Sequence, residues 1–179
     1  LHIGDKVTTL GDGMFSKCTM LPSVVLPSTL KTIGDSVFYN CMALPSVKIP
    51  EGVTSIGKNV FKFCAQLTSV EYDAIKSTSS NLFANCTNLN NLRIGNKVTQ
   101  LDVGMFNGCT MLRSVVLPST LKIIGHFVFA DCTALSSINI PENVTYIGAR
   151  SFASTPLKVV TLPAGLTVLG EEAFYCGLD

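Results

Sequence analysis

Phenylalanine stands at positions 15, 38, 61, 83, 106, 129, 152 and 174, so every interval is 22 or 23 residues. Cysteine keeps the same beat at 18, 41, 64, 86, 109 and 132, three residues behind each ring. The letters between complete a unit of the form L-x-x-V-x-L-P-x-x-L-x-x-I-G-x-x-V-F-x-x-C-x-x. Leu21, Val24, Leu26, Pro27, Leu30, Ile33, Gly34, Val37, Phe38 and Cys41 spell one copy. About eight apolar side chains per unit then point to one side, and a single unit cannot bury them. Stacked neighbours can, so the period demands an array of coils that folds as a whole.

A longer rhythm lies over the short one. "CTMLPSVVLPSTLKTI" at 18–33 and "CTMLRSVVLPSTLKII" at 109–124 share 14 of 16 letters, and "LHIGDKVTTLGDGMF" at 1–15 is echoed at 92–106. Both pairs lie 91 residues apart. The array therefore grew by copying a four-repeat block, which a solenoid tolerates because each coil touches only its neighbours. The expected organisation is a single domain over 1–179 with about eight repeats, in blocks 1–91 and 92–179, taken from a longer array.

Each letter has a physical reading. Val24-Val25-Leu26, Val47-Lys48-Ile49 and Ile138-Asn139-Ile140 alternate with period two, which predicts short strands with one face inward. The strands are expected at 24–26, 47–49, 70–72, 92–94, 115–117, 138–140 and 160–162, stacked in a parallel sheet with a rise of roughly 4.8 Å per coil. Pro27, Pro50, Pro118, Pro141 and Pro163 end the ladder because proline has no N–H to give it. The Val/Thr/Ile-rich stretch that follows, such as "VTSIG", reads as an extended segment with a bend, open to a second minor strand. The glycine closing it, at 11, 34, 57, 125, 148 and 170, suggests a backbone with positive φ. In "DSVFYNC" the apolar positions Val37, Phe38, Cys41 and Leu44 follow helical spacing, so one turn of α- or 3₁₀-helix is expected there.

A period between 20 and 29 residues with this core is the leucine-rich repeat signature. The "LP…IG…F..C" string, for example Leu117-Pro118, Ile124-Gly125, Phe129 and Cys132, resembles the BspA-type leucine-rich repeats of bacterial and protist surface proteins. The resemblance covers nearly the whole chain. It implies a right-handed curved solenoid, mostly β, with a parallel sheet on the concave side and short helical, 3₁₀ or extended segments on the other. It also implies a cell-surface or secreted protein active in adhesion or host interaction, and it carries no catalytic residues. Two stretches depart from the pattern. "YDAIKSTSSNLF" at 72–83 loses the proline, the glycine and one residue, either as a decayed repeat or as a break that re-aims side chains. "FASTPL" at 152–157 puts Thr155 in the place of cysteine.

Composition narrows the function. Only 14% of residues are charged and the net charge is +1, which lacks the basic stripe that nucleic acid needs. No apolar run is long enough to insert in a membrane, and the first residues lack the form of a signal peptide. No G-x-S-x-G, H-E-x-x-H or P-loop occurs, and His2 and His126 fall at unrelated repeat positions. The chain is thus expected to be no enzyme and to need no cofactor or metal. The cysteines contain no CxxC pair; in register they lie roughly 4.8 Å apart with parallel Cβ vectors, a poor disulfide geometry. Cys18 to Cys132 are expected reduced and inert, and Cys176, one position out of register, exposed.

A protein-binding module is the leading reading, with a partner such as a host or extracellular-matrix protein on the concave sheet face. A structural spacer is the alternative, followed by an accessory domain of a larger enzyme. On that face one row reads Val25, Lys48, Glu71, Arg93, Val116, Asn139 and Thr161, and the neighbouring row is mainly serine. Charge gathers only at Lys48, Glu71, Asp73 and Arg93. These four, with Asn91 and Asn139, are the candidate ligand-binding residues.

Overall fold

The computed structural model describes residues 1–74 and 79–175. Among these residues ten short strands run in the order β1 (Thr9–Leu10), β2 (Thr32–Ile33), β3 (Ser46–Ile49), β4 (Ser55–Ile56) and β5 (Ser69–Tyr72), then β6 (Asn91–Ile94), β7 (Gln100–Leu101), β8 (Ile123–Ile124), β9 (Tyr146–Ile147) and β10 (Val168–Leu169). All pairings are parallel and join successive coils, in three sheets: β3-β5-β6, β1-β2-β4 and β7-β8-β9-β10. The chain is a parallel solenoid of about seven turns.

The phenylalanine column is its spine. Rings 15, 38, 61, 83, 106, 129, 152 and 174 stack in one unbroken pile, with centroids 5.0–5.6 Å apart and planes within 15° of parallel. Phe38, Phe61, Phe106 and Phe129 are fully buried, as the period requires. Offset stacking at this distance adds about 0.5–1.5 kcal/mol per pair to the burial of the rings.

The strand expectations hold fully for 47–49, 70–72 and 92–94. Val116 extends that ladder by a single bridge to Arg93, whereas Val25 makes a separate bridge to His2, with a cavity lined by Val25 and Lys48 between the two segments. The segments 138–140 and 160–162 carry no strand, although Ile140 still turns inward and is buried. The minor strand left open by the sequence exists, as the ladders of β1-β2-β4 and β7-β8-β9-β10.

Two expectations are corrected. Among the described residues there is no helix after the glycine. Among the described residues, those two before and two after the stacked phenylalanines take the left-handed conformation, as in Ser36 (φ 55°) and Asn40 (φ 58°) around Phe38. A right-handed helix cannot hold such residues. The N–H groups of Ser36, Phe38 and Asn40 instead point along the stack, to the carbonyls of Lys58, Val60 and Lys62 at 2.8–2.9 Å. The spacing i, i+1, i+4, i+7 came from a turn that alternates hand, not from a helix.

The repeat glycines are not positive-φ positions either; among the described glycines positive φ is confined to Gly13, Gly104 and Gly108. Their role is close approach. A Cβ on Gly57 would lie 2.5 Å from the Asp35 nitrogen, one on Gly148 2.5 Å from the His126 nitrogen, and one on Gly125 2.8 Å from the Leu101 oxygen. The preceding coil passes too near for any side chain.

Candidate functional site

The register of the long sheet decides what meets on its outer face. Lys48 pairs with Glu71 and Glu71 with Arg93, while Ser46, Ser69 and Asn91 form the next row. The inward letters Val47, Ile49, Val70 and Tyr72 are buried, so the charges can only point outward. Lys48 Nζ lies 3.3 Å from Glu71 Oε2, the same oxygen accepts from Arg93 Nη2 at 3.1 Å, and Arg93 Nη2 reaches Asp73 Oδ2 at 2.5 Å. The four candidate charges thus form one alternating chain across three coils. Asn91 stands beside it in the neighbouring row, where its amide donates to Ser69 Oγ at 3.3 Å and not to the charged chain.

The electrostatics follow from this chain. The Arg93 and Lys48 hydrogen bonds hold the Glu71 carboxyl below its ordinary value, and Asp73, then Glu71, push Arg93 higher still. Lys48, Glu71 and Arg93 are open to solvent, so the Lys48–Glu71 and Arg93–Glu71 pairs each contribute less than about 1 kcal/mol, while Asp73 is largely covered. Formal charges cancel within the cluster, which leaves a patterned face rather than a field.

Asn139 is not part of this arrangement. It is exposed, but Val116 stands between it and Arg93 in the row. What the sequence reading passed over is the pair of valines flanking the charges: Val25 is 56% and Val116 82% exposed. The row itself held the signal, since an outward-facing β-branched residue on each side of a charged run is visible once the strands are in register.

The remaining polar residues are absorbed by the stack. Each thiol from Cys41 to Cys132 is buried and donates to the carbonyl of the previous coil's phenylalanine at 3.2–3.4 Å. Burial pushes the thiols up, to about 11 for Cys41 and about 12 for Cys64 and Cys132. Cys18 departs from the expectation of an inert column: it is exposed. Cys176 and the central part of the irregular stretch, 75–78, lie outside the described residues. Thr155, at the cysteine position, donates to Phe152 O in its own coil at 2.7 Å. His126 accepts from the Ala149 N–H through Nδ1 at 2.9 Å, which leaves Nε2 for the Tyr146 hydroxyl at 3.1 Å. Among the described residues no group of three or more His, Cys, Asp or Glu side chains could hold a metal ion, and no helix is long and apolar enough to cross a membrane.

The same coil geometry recurs in solved structures. A leucine-rich repeat protein from Eubacterium ventriosum ATCC 27560 is 30% identical with a TM-score of 0.83, over 93% of this chain and 45% of that one. A leucine rich cell surface protein from Faecalibacterium prausnitzii A2-165 is 25% identical with a TM-score of 0.58, over 89% and 58%. This chain thus spans about half the length of those two. The T. pallidum leucine rich repeat protein, 24% identical, shares the fold with a TM-score of 0.81 over 99% of this chain and 86% of its own. No curated protein matches the chain. Six copies of the BspA type leucine rich repeat region match it, over residues 1–113 and 73–178. The chain therefore belongs to the BspA-type leucine-rich repeat family.

Proposed function

We propose that this chain is the interaction segment of a cell-surface or secreted protein and that it meets a protein partner on the outer face of β3, β5 and β6. The observation that carries the reading is the exposed row in which Val25 and Val116 flank the chain Lys48–Glu71–Arg93–Asp73. The exposed valines supply apolar burial and the charges between them fix register. The small side chains of Ser46 and Ser69 beside the row let a partner approach the backbone. The cell-surface description of the F. prausnitzii relative supports the location.

The mutual pairing of the four charges favours a second reading, a passive spacer whose outer face is internally satisfied. Binding to a panel of extracellular-matrix and host-surface proteins, measured by surface plasmon resonance, separates the two. The interaction reading predicts a partner whose affinity falls at least about tenfold in the Lys48→Ala/Glu71→Ala/Arg93→Ala variant, with thermal stability nearly unchanged. A partner bound equally well by that variant would remove the strand face from consideration, and no partner at all would favour the spacer.

A further inference from the structure

Each of the eight phenylalanine repeats has a left-handed residue two positions before its ring. In the first five coils this residue is Gly13, Ser36, Asn59, Asn81 or Gly104, all small or of the amide type that tolerates this backbone. In the next three it is Phe127 (φ 57°), Arg150 (φ 54°) and Glu172 (φ 53°). Large side chains are unfavourable there. The backbone does not change to relieve them: Gly104, Phe127 and Arg150 all donate to the following coil, at 2.8, 3.0 and 3.0 Å. Three consecutive coils keep a bulky residue where the fold asks for a small one, and backbone strain of this kind concentrates at binding sites.

These three side chains converge on one feature. With Asp131, Ser154 and Tyr175 they line a groove of about 330 Å³ on the turn side of the coils, away from the strand face. Ala130 and Ala153 also line it; Tyr39, Lys62 and Asn107 hold the corresponding positions in the second, third and fifth coils, and the small Ser16 and Ala84 those in the first and fourth. The volume lies at the lower end of small-ligand sites.

The lining selects the chemistry. Arg150 Nε donates to Glu172 Oε2 at 2.5 Å, so that pair is internally neutral, and Asp131 adds one negative charge. An anion is therefore disfavoured, and a simple cation would meet Arg150. Acceptors (Asp131, Glu172), a donor (Arg150) and a hydroxyl that is both (Ser154) suit a ligand whose groups each donate and accept. The exposed rings of Phe127 and Tyr175 offer faces for C–H-rich surfaces. Hydroxyl groups on a ring with apolar C–H faces describe a pyranose. We propose that this groove binds a neutral pyranose sugar, independently of the strand-face site.

Saturation-transfer NMR with glucose, galactose, mannose and N-acetylglucosamine, and with argininamide as the cationic comparison, tests this. At least one neutral sugar should receive transfer, and its signal should fall at least about fivefold in Tyr175→Ala and in Asp131→Gly, the residue that Gly108 supplies one coil earlier. Lys48→Ala, on the strand face, should leave it intact. Phe127→Asn restores a residue type the backbone accepts, so it should keep or raise the thermal midpoint while weakening the sugar signal. No transfer to any of the four sugars, transfer that survives both groove variants, or transfer to argininamide alone would overturn the proposal.

Discussion

The Sγ of Cys64 donates a hydrogen bond to the main-chain oxygen of Phe38, one coil earlier, at 3.2 Å. That oxygen also accepts the Cys41 N–H of its own coil, at 3.3 Å. One carbonyl thus ties two coils together beside the ring stack, and the cysteine column is a ladder of such ties. A thiol suits this place because it packs as a small apolar group and still has a proton to give.

The ladder predicts thiol behaviour. In native protein at mild pH a disulfide-exchange reagent should modify Cys18 while Cys41, Cys64, Cys86, Cys109 and Cys132 stay silent. Denatured, unreduced protein should titrate seven thiols, and a deficit of two or four would show disulfides that the coil spacing disfavours.

It also predicts alkaline sensitivity. Cys64 and Cys132 titrate near 12 in the folded chain against an ordinary 9.0. The folded state holds these protons longer than the unfolded one, so the stabilisation is complete below about pH 9 and is lost as pH rises toward 12. Denaturation midpoints measured from pH 8 to 11 should fall, and less steeply in a Cys64→Ala/Cys132→Ala variant.

Phe106→Ala removes a ring held between Phe83 and Phe129, each 5.6 Å away. The lost burial and the cavity should cost about 3–5 kcal/mol. Urea unfolding followed by circular dichroism reads the change directly, and a loss below about 1 kcal/mol would mean that the ring stack is not the core.

The two kinds of glycine separate by substitution. Gly57→Ala places a methyl against the Asp35 backbone and should destabilise by more than about 2 kcal/mol. Gly11→Ala meets only Met14 Cε at 4.0 Å, so its midpoint should stay the same or rise slightly. Equal effects at the two positions would contradict close coil approach as the reason for glycine.

The spine, its period and the outward charges were legible in the sequence because each depends on one apolar or charged letter recurring at a fixed interval. The turn was not. Its apolar letters mimic helical spacing, and only the asparagines two residues either side of phenylalanine, Asn40, Asn59, Asn81 and Asn85, hint at left-handed backbone. The reason for glycine is not legible in the sequence, because a positive φ and a near neighbour exclude Cβ equally and only the distance between coils tells them apart. The strand-face charges could be placed in one row by register, but Asn139 could not be excluded from their cluster without knowing that the four already close on one another.

The interaction face itself is most directly tested by hydroxyl-radical footprinting of the protein with a bound partner. Val25 and Val116 should lose reactivity on binding, while Met20, 84% exposed and outside the strand row, should not. Protection of Met20 with Val25 and Val116 still reactive would place the partner elsewhere and contradict the strand face as the interface.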